Sequence, residues 1–282
     1  MNCRSLAVSG LFLLATASPG FAADLQPSKD AGPYVPSPQS VVADMLKVAE
    51  VGPTDFVIDL GSGDGRIVLT AAKVFGAQGF GVEIKDELVK KSNEAARKEG
   101  LSDRVKFMKQ DLFKTDISQA TVLTMYLLPD TVNLLKDKFL AELRPGTRII
   151  SHDYPLTGWI PEKYIQMDLE DKVNISGVTT TLIYMYVVPA KVAGSWSARL
   201  PAAVSRQPAT LQLKQQLTRV SGSAKLDGKE VALEDVRLRG DRISFRMVGR
   251  KGEFTGLVKG NSIEGTVDAG GGKSPWSATL GG

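Results

Sequence analysis

The sequence predicts a doubly wound, mostly parallel α/β sheet followed by a small all-β domain. Three observations carry that reading. Short apolar runs alternate with segments of helical periodicity between residues 40 and 190, which is the spacing of βαβ units. A glycine-rich string, Asp59-Leu60-Gly61-Ser62-Gly63-Asp64-Gly65, follows the first apolar run and opens the next helical segment. After Pro189 the pattern changes: residues 195–282 hold 13 of the 28 glycines and hardly any helical periodicity. That part of the chain must be built from strands and turns.

In chain order, residues 1–22 read as a secretory signal peptide. Arg4 supplies a positive charge, residues 6–17 are apolar, Pro19-Gly20 breaks the pattern, and Gly20 and Ala22 are the small residues a signal peptidase reads. The expected cut follows Ala22, and the expected location is outside the cytoplasm, in the periplasm. The apolar stretch is too short to span a bilayer comfortably, and no other stretch is long and apolar enough, so no transmembrane span is expected in the mature chain. The only cysteine, Cys3, precedes the apolar run. A chain cut after Ala22 would have no disulfide, no thiolate nucleophile and no cysteine metal site.

Residues 23–39 form a proline-rich lead-in with prolines at 27, 33, 36 and 38. Within 40–50, Val41, Val42, Met45, Leu46 and Ala49 recur at helical spacing. The run Phe56–Leu60 is a buried strand, 67–75 a helix, 79–84 a strand and 86–99 a charged helix with Leu88, Val89, Ala95 and Ala96 inward. Strands follow at 105–108, 121–128 and 147–152, with a helix at 131–143. The β-rich run 179–188 closes this domain, assigned to 40–190. It would be antiparallel if 164–173 is its hairpin partner.

The second domain, 195–282, shows alternating runs at 211–214, 231–238, 243–248, 254–258 and 263–267. The pairs Asp227-Gly228, Gly240-Asp241, Lys251-Gly252 and Gly260-Asn261 divide them as hairpin turns. Trp196-Ser197-Ala198 begins the segment and Trp276-Ser277-Ala278 ends it, which suggests a closed meander, a barrel or a sandwich. The net charge of the chain is +4, too small to imply nucleic acid by itself. Residues 195–282 carry 14 Lys and Arg against 8 Asp and Glu, so the excess lies there. Such a surface is either simply solvated or suited to an envelope or other anionic partner.

The chemistry sits in the first domain. Alternate glycines between a buried strand and a helix allow positive φ and close approach of a ligand to bare backbone, at the carboxyl edge of the sheet. The spacing G-x-G-x-G after Asp59 departs from the dinucleotide pattern and suits a ligand without a pyrophosphate. Asp59 can hold an ammonium group directly or through water. Glu83, at the end of the second strand, can accept both hydroxyl hydrogens of a ribose. Asp111, beyond the third strand, can accept from an adenine amino group, with Leu112 and Phe113 packed on the ring. Asp59, Gly61, Ser62, Gly63, Asp64, Gly65, Glu83, Asp111 and Leu112 are therefore the candidate cofactor-binding residues, and S-adenosyl-L-methionine is the expected cofactor.

These motifs resemble those of class I methyltransferases. A fuller string narrows the resemblance: Pro33-Tyr34-Val35-Pro36-Ser37-Pro38 before the first helix, the glycine loop continuing through Arg66-Ile67-Val68, Gly81-Val82-Glu83, Tyr126-Leu127-Leu128-Pro129, and Leu143-Arg144-Pro145-Gly146-Thr147-Arg148-Ile149-Ile150-Ser151. Together they are similar to the lysine methyltransferases of the mitochondrial adenine nucleotide translocase and the ATP synthase c-subunit, with their bacterial relatives. The resemblance covers about residues 33–162 and not the tail. It implies a seven-stranded Rossmann-like methyltransferase sheet and a protein lysine as acceptor. It further implies that the Tyr34 segment folds over the cofactor and that the Tyr126 segment floors the acceptor site.

Candidate catalytic residues are Tyr34, Tyr126 and Asp153, the last paired with the only histidine, His152. A lysine acceptor has to lose a proton before it can attack, so groups that orient and deprotonate an amine are the ones to seek. Small-molecule N- or O-methylation is an alternative, as is a non-catalytic envelope binding protein that retains the cofactor site. The position after the fourth strand lacks the Asn/Asp/Ser-Pro-Pro-Tyr/Phe tetrapeptide that holds planar amides and exocyclic amines, which disfavours adenine or glutamine as acceptor, and no metal cluster is evident. A cofactor made in the cytoplasm stands in tension with an exported protein.

Overall fold

The computed structural model describes residues 34–170, 172–173, 177–270 and 272–281; residues 1–22, expected to be a signal peptide, Cys3 among them, and the first part of the lead-in lie outside these. The first domain begins with α1 (Gln39–Val48), which buries Val41, Val42, Met45 and Leu46. There follow β1 (Phe56–Leu60), α2 (Arg66–Phe75), β2 (Gln78–Glu83), α3 (Asp86–Lys98), β3 (Val105–Lys109), β4 (Val122–Met125), α4 (Pro129–Leu134), α5 (Lys136–Glu142), β5 (Arg148–His152), β6 (Lys163–Asp168) and β7 (Thr180–Val187). The sheet order is β3-β2-β1-β4-β5-β7-β6. The first five of these strands are parallel, and β7 runs antiparallel to both β5 and β6. The hairpin partner expected at 164–173 is β6, ending at Asp168.

Successive strand residues point to opposite faces, and the core divides accordingly. Val57, Val122 and Ile150 pack under α1 and α2 with Ile67 and Ala71. Ile58, Leu123 and Ile149 face the other way, onto Val132, Leu135 and Phe139. The sheet is thus covered on both sides, as near-continuous apolar parallel strands require.

Two elements differ from the sequence reading. The strand expected over 121–128 stops at Met125. Leu128 takes an extended conformation before Pro129, so the chain leaves the sheet at Tyr126 and starts a helix at the proline. The single helix expected over 131–143 is two short helices sharing Leu135 at their junction.

The second domain is a closed barrel of eight antiparallel strands: β8 (Gly194–Arg199), β9 (Ala209–Gln216), β10 (Arg219–Leu226), β11 (Lys229–Arg239), β12 (Arg242–Met247), β13 (Phe254–Lys259), β14 (Ser262–Asp268) and β15 (Lys273–Leu280). Each strand pairs with the next, and β15 closes on β8 through Ala278 opposite Ala198. Closure leaves no unpaired strand edge. The tryptophans of the Trp-Ser-Ala echo do not face one another: Trp196 lies opposite Leu280 and Trp276 opposite Gly265. Both are buried in the barrel core. Phe245 and Phe254 stack at 5.1 Å, and the Trp276 ring meets both edge-on.

The barrel joins the sheet at the edge where β5 begins. Gly240, in the turn between β11 and β12, lies against Gly146, and a Cβ at Gly240 would come within 2.9 Å of the Gly146 Cα. The Ala190 N–H donates to Gly240 O at 2.8 Å, and Arg239 pairs with Glu162. Gln215 ties down the linker, accepting from the Val192 N–H and donating to Ala190 O.

Trp276→Ala removes the ring that fills the aromatic cluster and should lower unfolding stability by about 3–5 kcal/mol, read by chemical denaturation. Cofactor affinity should be unchanged, because the sheet-domain site lies at the opposite edge; a parallel loss of binding would show that the two domains depend on one another.

Candidate functional site

The site gathers at the carboxyl edge of the parallel strands, next to the point where the strand order reverses between β1 and β4. Asp59 sits in β1 between β2 and β4, only 2% exposed. Its Oδ1 accepts from the Thr124 hydroxyl at 2.7 Å. Among the described residues nothing donates to Oδ2. Burial pushes the carboxyl up to about 7; the Thr124 hydrogen bond opposes that shift, and the charges of Glu83 and Asp64 add to it.

The loop after β1 is held by its backbone: Gly61 N–H and Ser62 N–H both donate to Val82 O at 2.9 Å. Gly61, Gly63 and Gly65 all have positive φ. Gly63 has a second constraint, because a Cβ there would come within 2.5 Å of the Tyr34 ring. The Ser62 hydroxyl is buried with no hydrogen-bond partner among the described residues. Glu83 is fixed by three backbone donors, Gly63 N–H to Oε2 at 3.1 Å and the Ile84 and Lys85 N–H groups to Oε1 at 2.8 and 3.0 Å. Asp111 caps a short 3-10 turn (Leu112–Lys114) by accepting from the Phe113 N–H at 2.9 Å, and Leu112 is buried beside it.

Asp64 pairs with Arg66, whose Nη2 lies 2.7 Å from Oδ2. Burial works to raise the Asp64 carboxyl, but the Arg66 guanidinium and the Tyr34 hydroxyl outweigh it and hold it below the ordinary carboxylate range. Arg66 Nη1 also donates to Ser37 O at 2.7 Å. The segment carrying Tyr34 and Ser37 is therefore fastened across the glycine loop.

A second cluster lies at the ends of β4 and β5. His152 is fully buried, with its ring centroid 3.9 Å from that of Tyr126. Its Nδ1 shares a 2.7 Å hydrogen bond with the Ser37 hydroxyl. Burial, helped by the Lys172 charge, pushes His152 down to about 4 against the pull of Asp153, so the imidazole is neutral at pH 7. Tyr126 Oη donates to Asp153 Oδ2 at 2.9 Å. Asp153, at φ +62°, also accepts from Lys172 Nζ at 2.7 Å on both oxygens and from the Leu182 N–H at 3.0 Å.

The three residues marked as catalytic in the sequence thus fall in two groups. Tyr34 belongs to the glycine loop, while Tyr126 and Asp153 form the second cluster; Ser37 links the two through Arg66 and His152. Three participants were given no role from the sequence. Thr124 and Lys172 lie in no motif, and Ser37 stood only as one residue of the proline-rich string; a lysine nearly always reads as solvated, yet Lys172 is 2% exposed.

Residues 59–163 match a family model described as the ANTKMT methyltransferase domain. The protein-lysine N-methyltransferase of Saccharolobus islandicus is 42% identical over 157 residues, which is 55% of this chain and 93% of that protein. The chain belongs to this methyltransferase family. It also shares 35% identity over 130 residues with the ATP synthase c-subunit lysine N-methyltransferase of Xenopus laevis, and 36% over 129 residues with the adenine nucleotide translocase lysine N-methyltransferase of mouse. It spans 57% and 56% of those two proteins. A solved RNA methyltransferase from Salinibacter ruber, in complex with S-adenosyl-L-homocysteine, is 42% identical, with a TM-score of 0.50 over 56% of this chain and 96% of its own.

The enzyme uses S-adenosylmethionine, and its residues fit that group. The half-satisfied Asp59 carboxylate suits an ammonium, the orphaned Ser62 hydroxyl lacks only a polar partner, and Glu83 has lone pairs left for ribose hydroxyls after its three backbone bonds. Asp111, held by the Phe113 N–H, and the buried Leu112 would be the groups to meet an adenine.

The sign of the Asp59 shift gives a test. Its folded value is raised above 3.8, so the stability it confers is full below that pH and is lost as pH rises through about 7. A bound cation favours the ionised form. Cofactor affinity should therefore climb about tenfold per unit from pH 5 to 7 and then level off, read by calorimetric titration. Asp59→Asn should flatten this dependence and weaken binding, while raising the melting temperature of the cofactor-free protein at pH 8. Equal affinity in the two proteins would remove Asp59 from the site.

Proposed function

We propose that the enzyme N-methylates the side-chain amine of lysine in a protein, with Tyr126 at the acceptor site. The observation that carries this reading is the Tyr126–His152–Asp153 cluster, rimmed by aromatic rings at the end of the sheet. Tyr126 and Tyr154 stack at 6.4 Å, and Tyr164 and Tyr184 lie 5.2 Å apart. Ring faces favour an incoming ammonium or methylammonium group. The relatives named for lysine methylation support the same acceptor class.

S-adenosylmethionine, when bound, supplies an electrophilic methyl carbon on sulfonium, which the amine lone pair takes as the carbon–sulfur bond breaks. The chain's own part is to align the amine and leave it unprotonated. Burial first, then the Asp153 charge and hydrogen bond, push the Tyr126 hydroxyl well above its ordinary range, so it stays a phenol. Its proton is committed to Asp153, and its oxygen is left as an acceptor for an amine N–H. The neutral His152 ring packs against it and adds no charge.

The apolar leader of residues 6–17 supports a further proposal, that the protein is exported and meets its acceptor in the cell envelope. Fusing the first 30 residues to a compartment-sensitive reporter tests this; a reporter retained in the cytoplasm overturns it. The basic surface of the barrel supports an anionic envelope partner as its companion.

Transfer of a labelled methyl group to envelope proteins, followed by peptide mass spectrometry, should place the label on lysine Nζ. Label found only on RNA or on small molecules would overturn the lysine reading, and tight cofactor binding without transfer would favour a binding protein. Tyr126→Phe keeps the ring but loses the oxygen. It should lower kcat about 10²-fold with cofactor affinity unchanged.

A further inference from the structure

The least expected group in the acceptor cluster is a buried cation. Lys172 places its ammonium 2.7 Å from each oxygen of Asp153 and 2.5 Å from Thr180 O. An enzyme that takes a lysine amine as acceptor would not obviously place a lysine of its own there. A buried ion pair is also a poor way to gain stability, since desolvation offsets most of the attraction.

The geometry of Asp153 supplies a reason. Without Lys172, Asp153 would be a carboxylate at the acceptor site, in contact with the Tyr126 hydroxyl and 3.6 Å from His152 Nε2. An uncompensated carboxylate there would attract the incoming ammonium and hold its proton, the opposite of what attack requires. With Lys172 in place both oxygens are engaged, by Lys172, Tyr126 and the Leu182 N–H together. Asp153 is then unable to take the proton, which leaves for solvent. Among the described residues, the titratable groups facing this point are Tyr126 from the end of β4, His152, Asp153 and Tyr154 from the end of β5, Tyr184 from β7 and Lys172 itself; Ser37 faces His152 from the N-terminal segment.

We propose that Lys172 is a positioning residue for methyl transfer: its ion pair with Asp153 fixes Tyr126 Oη as a hydrogen-bond acceptor toward the substrate amine and cancels the carboxylate charge that would keep that amine protonated. This rests on the lysine-acceptor reading above. Lys172 touches Asp153 and not the reacting atoms, so it acts through its neighbours.

The test measures methyl transfer from S-adenosylmethionine to poly-L-lysine by the full chain between pH 6 and 10. Lys172→Met should shift the rising limb of kcat/KM upward by about one unit, so that activity is about tenfold lower at pH 7 and rejoins the wild type near pH 10. Lys172→Arg, which keeps the charge, should restore the wild-type profile. The double variant Asp153→Asn with Lys172→Met removes both charges and should return the limb close to its wild-type position. A loss of equal size at every pH, or a double variant worse than the single, would make Lys172 a structural residue and overturn the proposal; so would an unchanged profile in Lys172→Met. If Lys172→Met does not fold, the double variant and Lys172→Arg still decide. A wild-type enzyme that binds cofactor yet transfers nothing to poly-L-lysine would instead overturn the lysine reading, and the proposal with it.

Discussion

A carboxylate with almost no water around it governs the first domain. Asp59 lies in the strand that separates the two halves of the parallel sheet, and its only hydrogen bond within the described chain comes from Thr124 on the neighbouring strand. The folded protein tolerates this because the carboxyl can hold a proton until a cation arrives. Everything nearby is arranged around the same spot. The loop amides are spent on Val82, Glu83 is locked by three N–H groups, and the glycines let Tyr34 and Leu127 press against bare backbone. A buried carboxyl with a single hydrogen bond is a local cost to the fold that a bound cation would offset, the usual relation between binding function and stability.

Much of this was legible in the sequence because each feature leaves a local signature. Glycines at alternate positions, an acid at the end of each of three strands and the apolar alternation of β1 to β5 all follow from short-range rules. The barrel was legible as strands and turns, but barrel and sandwich give the same alternation, and only the pairing of β15 with β8 separates them. What stayed hidden was long-range and polar. Ser37 meets His152 across 115 residues, Thr124 meets Asp59 across 65, and Lys172 is buried against an acid 19 residues away. No periodicity marks a partner at such distances. Tyr126-Leu127-Leu128-Pro129 misled in a different way: its apolar run continues the strand pattern, while Pro129 ends it.

The two edges of the sheet do separate work. The carboxyl edge holds the glycine loop, Glu83, Tyr126 and Asp153, and is fastened from above by Arg66 and Ser37. The opposite edge carries the barrel, through Gly146, Ala190 and Glu162. Five residues of β5 lie between, so the two ends stand about 17 Å apart at strand rise. The barrel therefore does not wall the Tyr126–His152–Asp153 cluster, and whatever it contributes acts at a distance from those residues.

The contact between Gly240 and Gly146 gives that arrangement an unusual mutational character. Most surfaces between two domains absorb substitutions by letting side chains rearrange, but here backbone lies on backbone, with no room for a single carbon at Gly240. A methyl group added at that one position would act as a wedge, parting the barrel from the sheet and leaving each core intact. Orientation of the two units is therefore set by a backbone approach that no side chain can cushion.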